Sequence, residues 1–392
     1  MENRRTENHQ PLNNLRKEWA FFALLSLSFL TAGFTLLSFN WGKPFAAIWV
    51  LLSAAAVVYQ LSVLWLSLPR NHRQGETNIL SSLGWGNRLT LLRGLLIAGL
   101  IGFLALPPPP GWLAWLPGIF YTLAIAADFF DGYLARITRH ATRLGEILDM
   151  SFDGLGILAA IILAVSYGRL PAWYLLVAFA RYAFILGLWL RSRLGKQDHE
   201  LPPSVRRRAL AGFQMGFLAV MLWPIFSPPG TYIAALFFGL PILLGFVQDW
   251  FYASGVLSAG NRLPSPSLQW MKRWLPLFFR FGVVFLGGAL TLPNLLVLAQ
   301  LPAHQVVLTI ADLLVISLLA LGITTRTAAI AGLILMGFHQ VFASLSLAQI
   351  LMAGGYSMIL FLGGGPFSLW APEEYLVFHR AGEPATLKVE QG

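Results

Sequence analysis

Apolar runs of roughly 16 to 25 residues recur from one end of this chain to the other, close to the ~20 residues a helix needs to cross a bilayer core. Inside hydrocarbon every backbone N–H and C=O must be satisfied within the protein, so runs of this length fold as helices. Composition agrees: 57% of the chain is hydrophobic and 11% charged, against about 25% charged in an ordinary soluble chain. The expected fold is an all-α polytopic membrane protein of about 12 transmembrane helices. The spans read as Trp19–Phe39, Phe45–Leu68, Leu89–Leu106, Trp112–Ala127, Ile147–Ser166, Ala172–Leu190, Leu210–Phe226, Tyr232–Val247, Leu275–Ala299, Val306–Leu321, Ala328–Phe342 and Leu347–Leu362. The absence of cysteine excludes disulfides and thiolate metal sites. Residues 1–18 are polar and basic and precede an apolar stretch too long for a cleavable signal, so none is expected.

The net charge of +10 admits a nucleic-acid partner, but the placement of the charges argues against one. With the N-terminus taken as cytoplasmic, only Lys43 and Arg169 fall on outward connections, and Arg93, Arg181 and Arg280 lie within or at the edge of spans. The remaining Lys and Arg are cytoplasmic, which is the positive-inside pattern. Both termini are then cytoplasmic, and the basic excess serves orientation and attraction to anionic lipid. The many Trp near span ends read as interfacial anchors.

Four blocks organise the chain. Residues 1–75 hold a basic leader and two extra spans, 76–252 a six-span core, 253–272 a linker rich in Ser, Gly and Pro, and 273–392 four spans with a cytoplasmic tail. The polar stretch Arg70–Asn87 carries Ile79, Leu80, Leu83 and Trp85 at spacings that suit a short amphipathic helix on the membrane surface.

The chemistry is concentrated in the core. Four of the seven aspartates of the chain fall between Asp128 and Asp153, beside or within apolar runs. Carboxylates at the edge of hydrocarbon are costly, and divalent cations offset that cost. Asp128 and Asp131 are three apart, and Asp149 and Asp153 four apart, so each pair shares a face if its stretch is helical. Gly145 lies one turn before Asp149 and leaves room for a ligand or a neighbouring helix, as Gly132 does beside Asp131. Two such helix ends form a box for two divalent ions, an arrangement suited to exchanging one oxygen for another at phosphorus. Oxygen-only ligands favour Mg²⁺ or Mn²⁺ over zinc. Singly, each aspartate could equally be a helix cap or a solvated loop charge. As the string D-x-x-D-G-x-x-A-R-x8-G-x-x-x-D-x-x-x-D, chance would produce them on the order of once in ten billion start positions.

This string resembles the signature of the CDP-alcohol phosphotransferase family, integral membrane enzymes of phospholipid synthesis, with every signature position filled. The resemblance covers about residues 80–250 and implies that Asp128, Asp131 and Asp149 ligate two metal ions, Mg²⁺ or Mn²⁺. Asp153 would take the proton of the attacking hydroxyl and also touch a metal, while Gly132, Ala135, Arg136 and Gly145 would border the cytidine nucleotide. Asn87 and Thr90, in G-N-R-L-T-L-L-R-G with Arg93, resemble the polar entry to the first core helix and join the nucleotide site. The basic G-K-x-K-T-x-x-Q stretch of the family is matched only at Arg208 and Gln214. The implied reaction moves a phosphatidyl group from CDP-diacylglycerol to a small alcohol or polyol phosphate and releases CMP, in a homodimer whose site faces the cytoplasm. Within the same class, a CDP-linked head group could instead pass to a lipid alcohol.

Other features carry less. Arg181 sits mid-span and Arg191 and Arg208 lie in a basic cytoplasmic belt; phosphate of the acceptor, a structural ion pair, snorkelling and anionic lipid all suit them. His140, in the motif loop, reads as a solvated residue. In the last block, R-F-G-V-V-F-L-G-G followed by Asp312, Gly322, Arg326 and Ala328 resembles the DoxX-like family of four-helix membrane proteins. Asp312 and His339 are polar points inside spans that could pair across helices or mark a site. Two rival functions are a divalent cation transporter and an inactive membrane scaffold. The position of the carboxylates at span ends counts against the first, and the intact set of aspartates against the second.

Overall fold

The structure, a computed structural model, describes residues 2–73, 75–197, 199, 201, 205–256 and 266–373. Residues 257–265 of the linker read at 253–272, and the tail beyond 373, lie outside these residues. Among the described residues twelve α-helices follow one another: α1 (Glu2–Asn40), α2 (Lys43–Ser67), α3 (Gly84–Ile101), α4 (Leu116–Ile137), α5 (Arg143–Ser166), α6 (Leu175–Arg193), α7 (Val205–Met221), α8 (Gly230–Ala253), α9 (Pro266–Leu296), α10 (Ala303–Leu321), α11 (Thr325–Phe342) and α12 (Leu347–Leu362). Among the described residues there is no strand, only isolated bridges such as Arg73 to Thr142.

Eight of these helices are long and apolar enough to cross a membrane. α7 and α12 are shorter, at 17 and 16 residues, and α3 and α11 interrupt their apolar runs with Asn87, Arg88 and Arg93 or with Arg326 and His339. The chain is an all-α polytopic membrane protein. Its outer surface fits that class, for Leu24, Leu51, Leu66, Phe285 and Leu296 are all largely exposed, which suits lipid and would be a liability in water.

The helices pack as two units. The first runs through Tyr167 and takes in Leu222–Pro224. In it α1 and α2 form a hairpin closed by Trp41 and Gly42, and Pro44 opens α2. The indole of Trp49 is fully buried and donates to the Gly99 carbonyl of α3 at 2.9 Å, so this Trp joins two helices rather than anchoring an interface. Leu144, Leu148 and Phe152 of α5, each fully buried, pack with Leu15, Leu64, Leu83, Leu91 and Ala124 in the core of this unit. That apolar stripe fixes the rotation of α5. Asp149 and Asp153 follow Leu148 and Phe152 by one residue each, so they are carried about 100° round the helix, off the core.

Residues 71–73 and 75–83 depart from the expected amphipathic helix. The buried Asn71 carboxamide donates to the carbonyls of Leu80 (3.0 Å) and Ser82 (2.8 Å), and Leu80 N donates to Asn71 O. These bonds compete with helical ones and hold the segment as an irregular strap. The strap lies along the loop between α4 and α5: Arg143 N donates to His72 O at 3.0 Å and Arg73 Nε to Arg139 O at 3.0 Å. His140, expected to be solvated, places Nε2 3.1 Å from Ser82 O and its ring against Gly84.

The second unit covers Gly168–Met221 and resumes at Ile225. α6 and α7 pack on α8, and α8 on α12. α9 to α12 surround a core of Val283, Val315, Leu319, Ala328, Met336, Met352, Tyr356 and Ile359. Asp312 and His339 pair across α10 and α11, Nε2 to Oδ2, at 2.7 Å.

Candidate metal centre

The four aspartates come from two helices joined by a short loop. Asp128 and Asp131 occupy the last turns of α4, and Asp149 and Asp153 the first half of α5. The loop reverses the chain through Arg139, at φ 50°, and Thr142 caps α5 by accepting from Gly145 N at 3.2 Å. One carboxylate oxygen from each of Asp128, Asp131 and Asp149 lies within 4.8 Å of the others. Asp131 is the buried member, its side chain 7% exposed, whereas that of Asp149 is 49% exposed, so the box opens on the Asp149 side.

α3 supplies the third wall. Its residues Asn87, Thr90 and Arg93 recur every three positions and face the motif. The Asn87 amide donates to Thr142 Oγ1 at 3.1 Å and to Leu83 O at 2.8 Å, and the Thr90 hydroxyl donates to Asp131 Oδ2 at 2.8 Å. The Arg93 guanidinium then reaches all four carboxylates. Its Nη1 pairs with Asp128 Oδ1 and lies 3.5 Å from Asp131 Oδ2, while Nη2 lies 2.9 Å from Asp149 Oδ1 and 3.3 Å from Asp153 Oδ1.

Two glycines make this packing possible. A Cβ on Gly145 would overlap Asn87 Oδ1, so the space this glycine leaves is taken by α3. A Cβ on Gly86 would meet the Ala135 side chain and the Asp131 carbonyl, so Gly86 and Ala135 let α3 and α4 touch. Gly132 has only the Arg136 side chain within reach and borders open space. Of the expected nucleotide residues, Asn87, Thr90, Ala135 and Gly145 therefore sit in the packing around the box, and Gly132 and Arg136 at its edge.

The expected acceptor residues belong to the second unit. Arg181 is half-buried on α6. Arg191 donates to Gln197 O at 3.0 Å and lies over the Trp250 ring. Arg208 is exposed on α7, and its neighbour Arg207 pairs with Asp249 at 2.9 Å.

Sequence reasoning noted Arg93 but gave it no place in the site. Its signal was there: Asn, Thr and Arg at every third position of an otherwise apolar helix mark one polar face.

The donor set fits divalent ions. Hard carboxylate oxygens converge from two helices, and one guanidinium is far from neutralising four carboxylates. Asp128, Asp131 and Asp149 are the three whose carboxylate oxygens converge within 4.8 Å of one another.

Comparison with known proteins leads to one family. A family model for CDP-alcohol phosphatidyltransferases matches residues 85–247, which ends before α9. A CDP-diacylglycerol–glycerol-3-phosphate 3-phosphatidyltransferase of Cereibacter sphaeroides is 33% identical over 139 residues, 34% of this chain and 61% of that protein. A Bacillus subtilis protein of the same name is 36% identical over 72 residues, 18% of this chain and 37% of its own. The Yersinia pestis counterpart is 31% identical over 142 residues, 34% of this chain and 74% of its own. No solved structure matches.

Proposed function

This chain belongs to the CDP-alcohol phosphatidyltransferase family, and on that premise we propose that it transfers a phosphatidyl group from CDP-diacylglycerol to a small alcohol phosphate and releases CMP. The single observation that carries the reading is the convergence of four carboxylates from α4 and α5 at one place in the first unit. Glycerol 3-phosphate is the first acceptor to test, because the proteins named above act on it by their names.

Asp128, Asp131 and Asp149 hold Mg²⁺ or Mn²⁺, and such ions supply charge neutralisation at the diphosphate and its leaving group. Asp153, with its side chain 29% exposed, takes the proton of the acceptor hydroxyl. The acceptor oxygen bonds to the phosphorus that carries diacylglycerol, the phosphoanhydride bond breaks, and CMP leaves with the electron pair. CMP is a stable leaving group, so alignment and charge matter more than covalent help.

Gly132 and Arg136, at the edge of the box, border the nucleotide, with Asn87, Thr90, Ala135 and Gly145 setting its floor. Arg181, Arg191 and Arg208 offer charge to the acceptor phosphate. The catalytic core is residues 76–252, both termini and the site face the cytoplasm, and the working assembly is a homodimer. The experiment is CMP release by purified protein supplied with CDP-diacylglycerol, Mg²⁺ or Mn²⁺ and a panel of alcohols. Asp128→Asn and Asp153→Asn should each be inactive. Release that persists in both variants would overturn the reading.

A further inference from the structure

We propose that Arg93 is the resident counter-cation of the carboxylate box, and that divalent ions bind there by displacing its guanidinium. This inference rests on reading the box as a divalent-metal site. Arg93 is 1% exposed, and its two terminal nitrogens divide the carboxylates between them: Nη1 serves Asp128 and Asp131 of α4, and Nη2 serves Asp149 and Asp153 of α5. The guanidinium therefore bridges the two helices at the place where a shared ion would sit. A guanidinium lying between the two pairs takes the space in which an ion ligated from both helices at ~2–2.6 Å would have to sit.

Charge gives the arrangement its purpose. Four carboxylates brought together without a cation repel one another and favour separation of α4 and α5. One guanidinium leaves a formal charge of −3, enough neutralisation to keep the helices together and too little to dispense with divalent ions. Nε is buried without a partner, so only the two terminal nitrogens tether the head. The Thr90 bond to Asp131 stays behind as a fixed support.

A purely structural Arg93 makes the opposite prediction. If the guanidinium only cements α3 to α4 and α5, removing it loosens the box and weakens metal binding. If it competes, removing it strengthens binding. The experiment is titration of full-length, detergent-solubilised protein with Mn²⁺ alone, reading free Mn²⁺ by electron paramagnetic resonance, for the native chain, Arg93→Met, Arg93→Lys and Asp128→Asn/Asp149→Asn.

Arg93→Met should bind Mn²⁺ about tenfold more tightly than the native chain, the scale on which one nearby charge acts. Arg93→Lys should fall between them, because a single ammonium cannot bridge all four carboxylates. Thermal unfolding should show Arg93→Met less stable than native without Mn²⁺ and should show that gap closing when Mn²⁺ is saturating. Affinity equal to or weaker than native in Arg93→Met overturns the proposal, and if that variant does not fold, Arg93→Lys decides by the same criterion. Native Mn²⁺ binding that survives the double aspartate variant overturns the metal reading itself, and this inference with it. Native binding lost in that variant but not tightened by either Arg93 variant overturns this inference alone.

Discussion

Arg93 in the first unit and Arg280 in the second are both almost wholly buried arginines on apolar helices, and their surroundings differ in kind. Among the described residues Arg280 meets neutral acceptors: the carbonyls of Gly364 (3.0 Å), Phe367 (3.2 Å) and Ala320 (3.3 Å), and the Ser368 hydroxyl (3.4 Å). The Arg326 guanidinium donates to the carbonyls of Leu360 and Phe361, and the Arg326 backbone N–H to the Glu373 carboxylate. Ala320 closes α10, and Leu360 and Phe361 close α12, where backbone carbonyls lack helical partners and the helix end carries partial negative charge. These two guanidiniums staple the second unit together. Arg93, by contrast, faces four full negative charges and leaves most of them uncancelled. A buried cation among dipoles completes a structure; one among an excess of carboxylates marks a site that needs more cations.

The comparison breaks most visibly if the two sets of residues are removed in turn. Asp131→Asn should lower CMP release by roughly 10²–10³-fold or more, with thermal unfolding at or above native because a buried repulsion is relieved. Arg280→Met should do the reverse. Stranding three carbonyls and a hydroxyl should cost about 3 kcal/mol or more of stability, seen as a lower unfolding temperature. Its Mn²⁺ affinity in the titration should remain native. If Arg280→Met lost Mn²⁺ affinity while staying folded, the division between staple and site would fail.

What the sequence made legible follows from how local each feature is. Helices and their order were readable because apolar runs of this length have one fold in a membrane. The four aspartates were readable because two helices joined by a short loop keep them within 26 residues. Arg93 was harder, since it lies 35 and 56 residues from the partners Asp128 and Asp149; only tertiary packing brings them together. The strap before α3 misled for a physical reason: Ile79, Leu80 and Leu83 have helical spacing, but the Asn71 carboxamide takes the carbonyls a helix would need. Trp49 had the composition of an interfacial anchor and the position of a core residue. The loose motif in the last block pointed to Asp312 and Arg326, and the structure gives each a partner within its own helices and the segment that follows them.

Smaller effects sharpen the comparison at the edge of the box. Gly145→Ala should push Asn87 off Thr142 and cost about 1–3 kcal/mol, with a several-fold loss of CMP release measured alongside unfolding. Thr142→Ala should cost only about 1 kcal/mol, the worth of an N-cap, and should leave Mn²⁺ affinity within about twofold of native. A large loss of affinity in Thr142→Ala would mean that the loop, rather than the helices, sets the box.

The central claim is that the carboxylates of α4 and α5 share divalent ions. Crystals of the native protein soaked in Mn²⁺ and measured at the manganese absorption edge test it most directly. The account predicts two anomalous peaks about 3.5–4 Å apart, each ~2–2.6 Å from oxygens of Asp128, Asp131 or Asp149, with the Arg93 guanidinium moved off the carboxylates. Peaks located elsewhere, or a box that excludes manganese while Arg93 keeps its four partners, would contradict it.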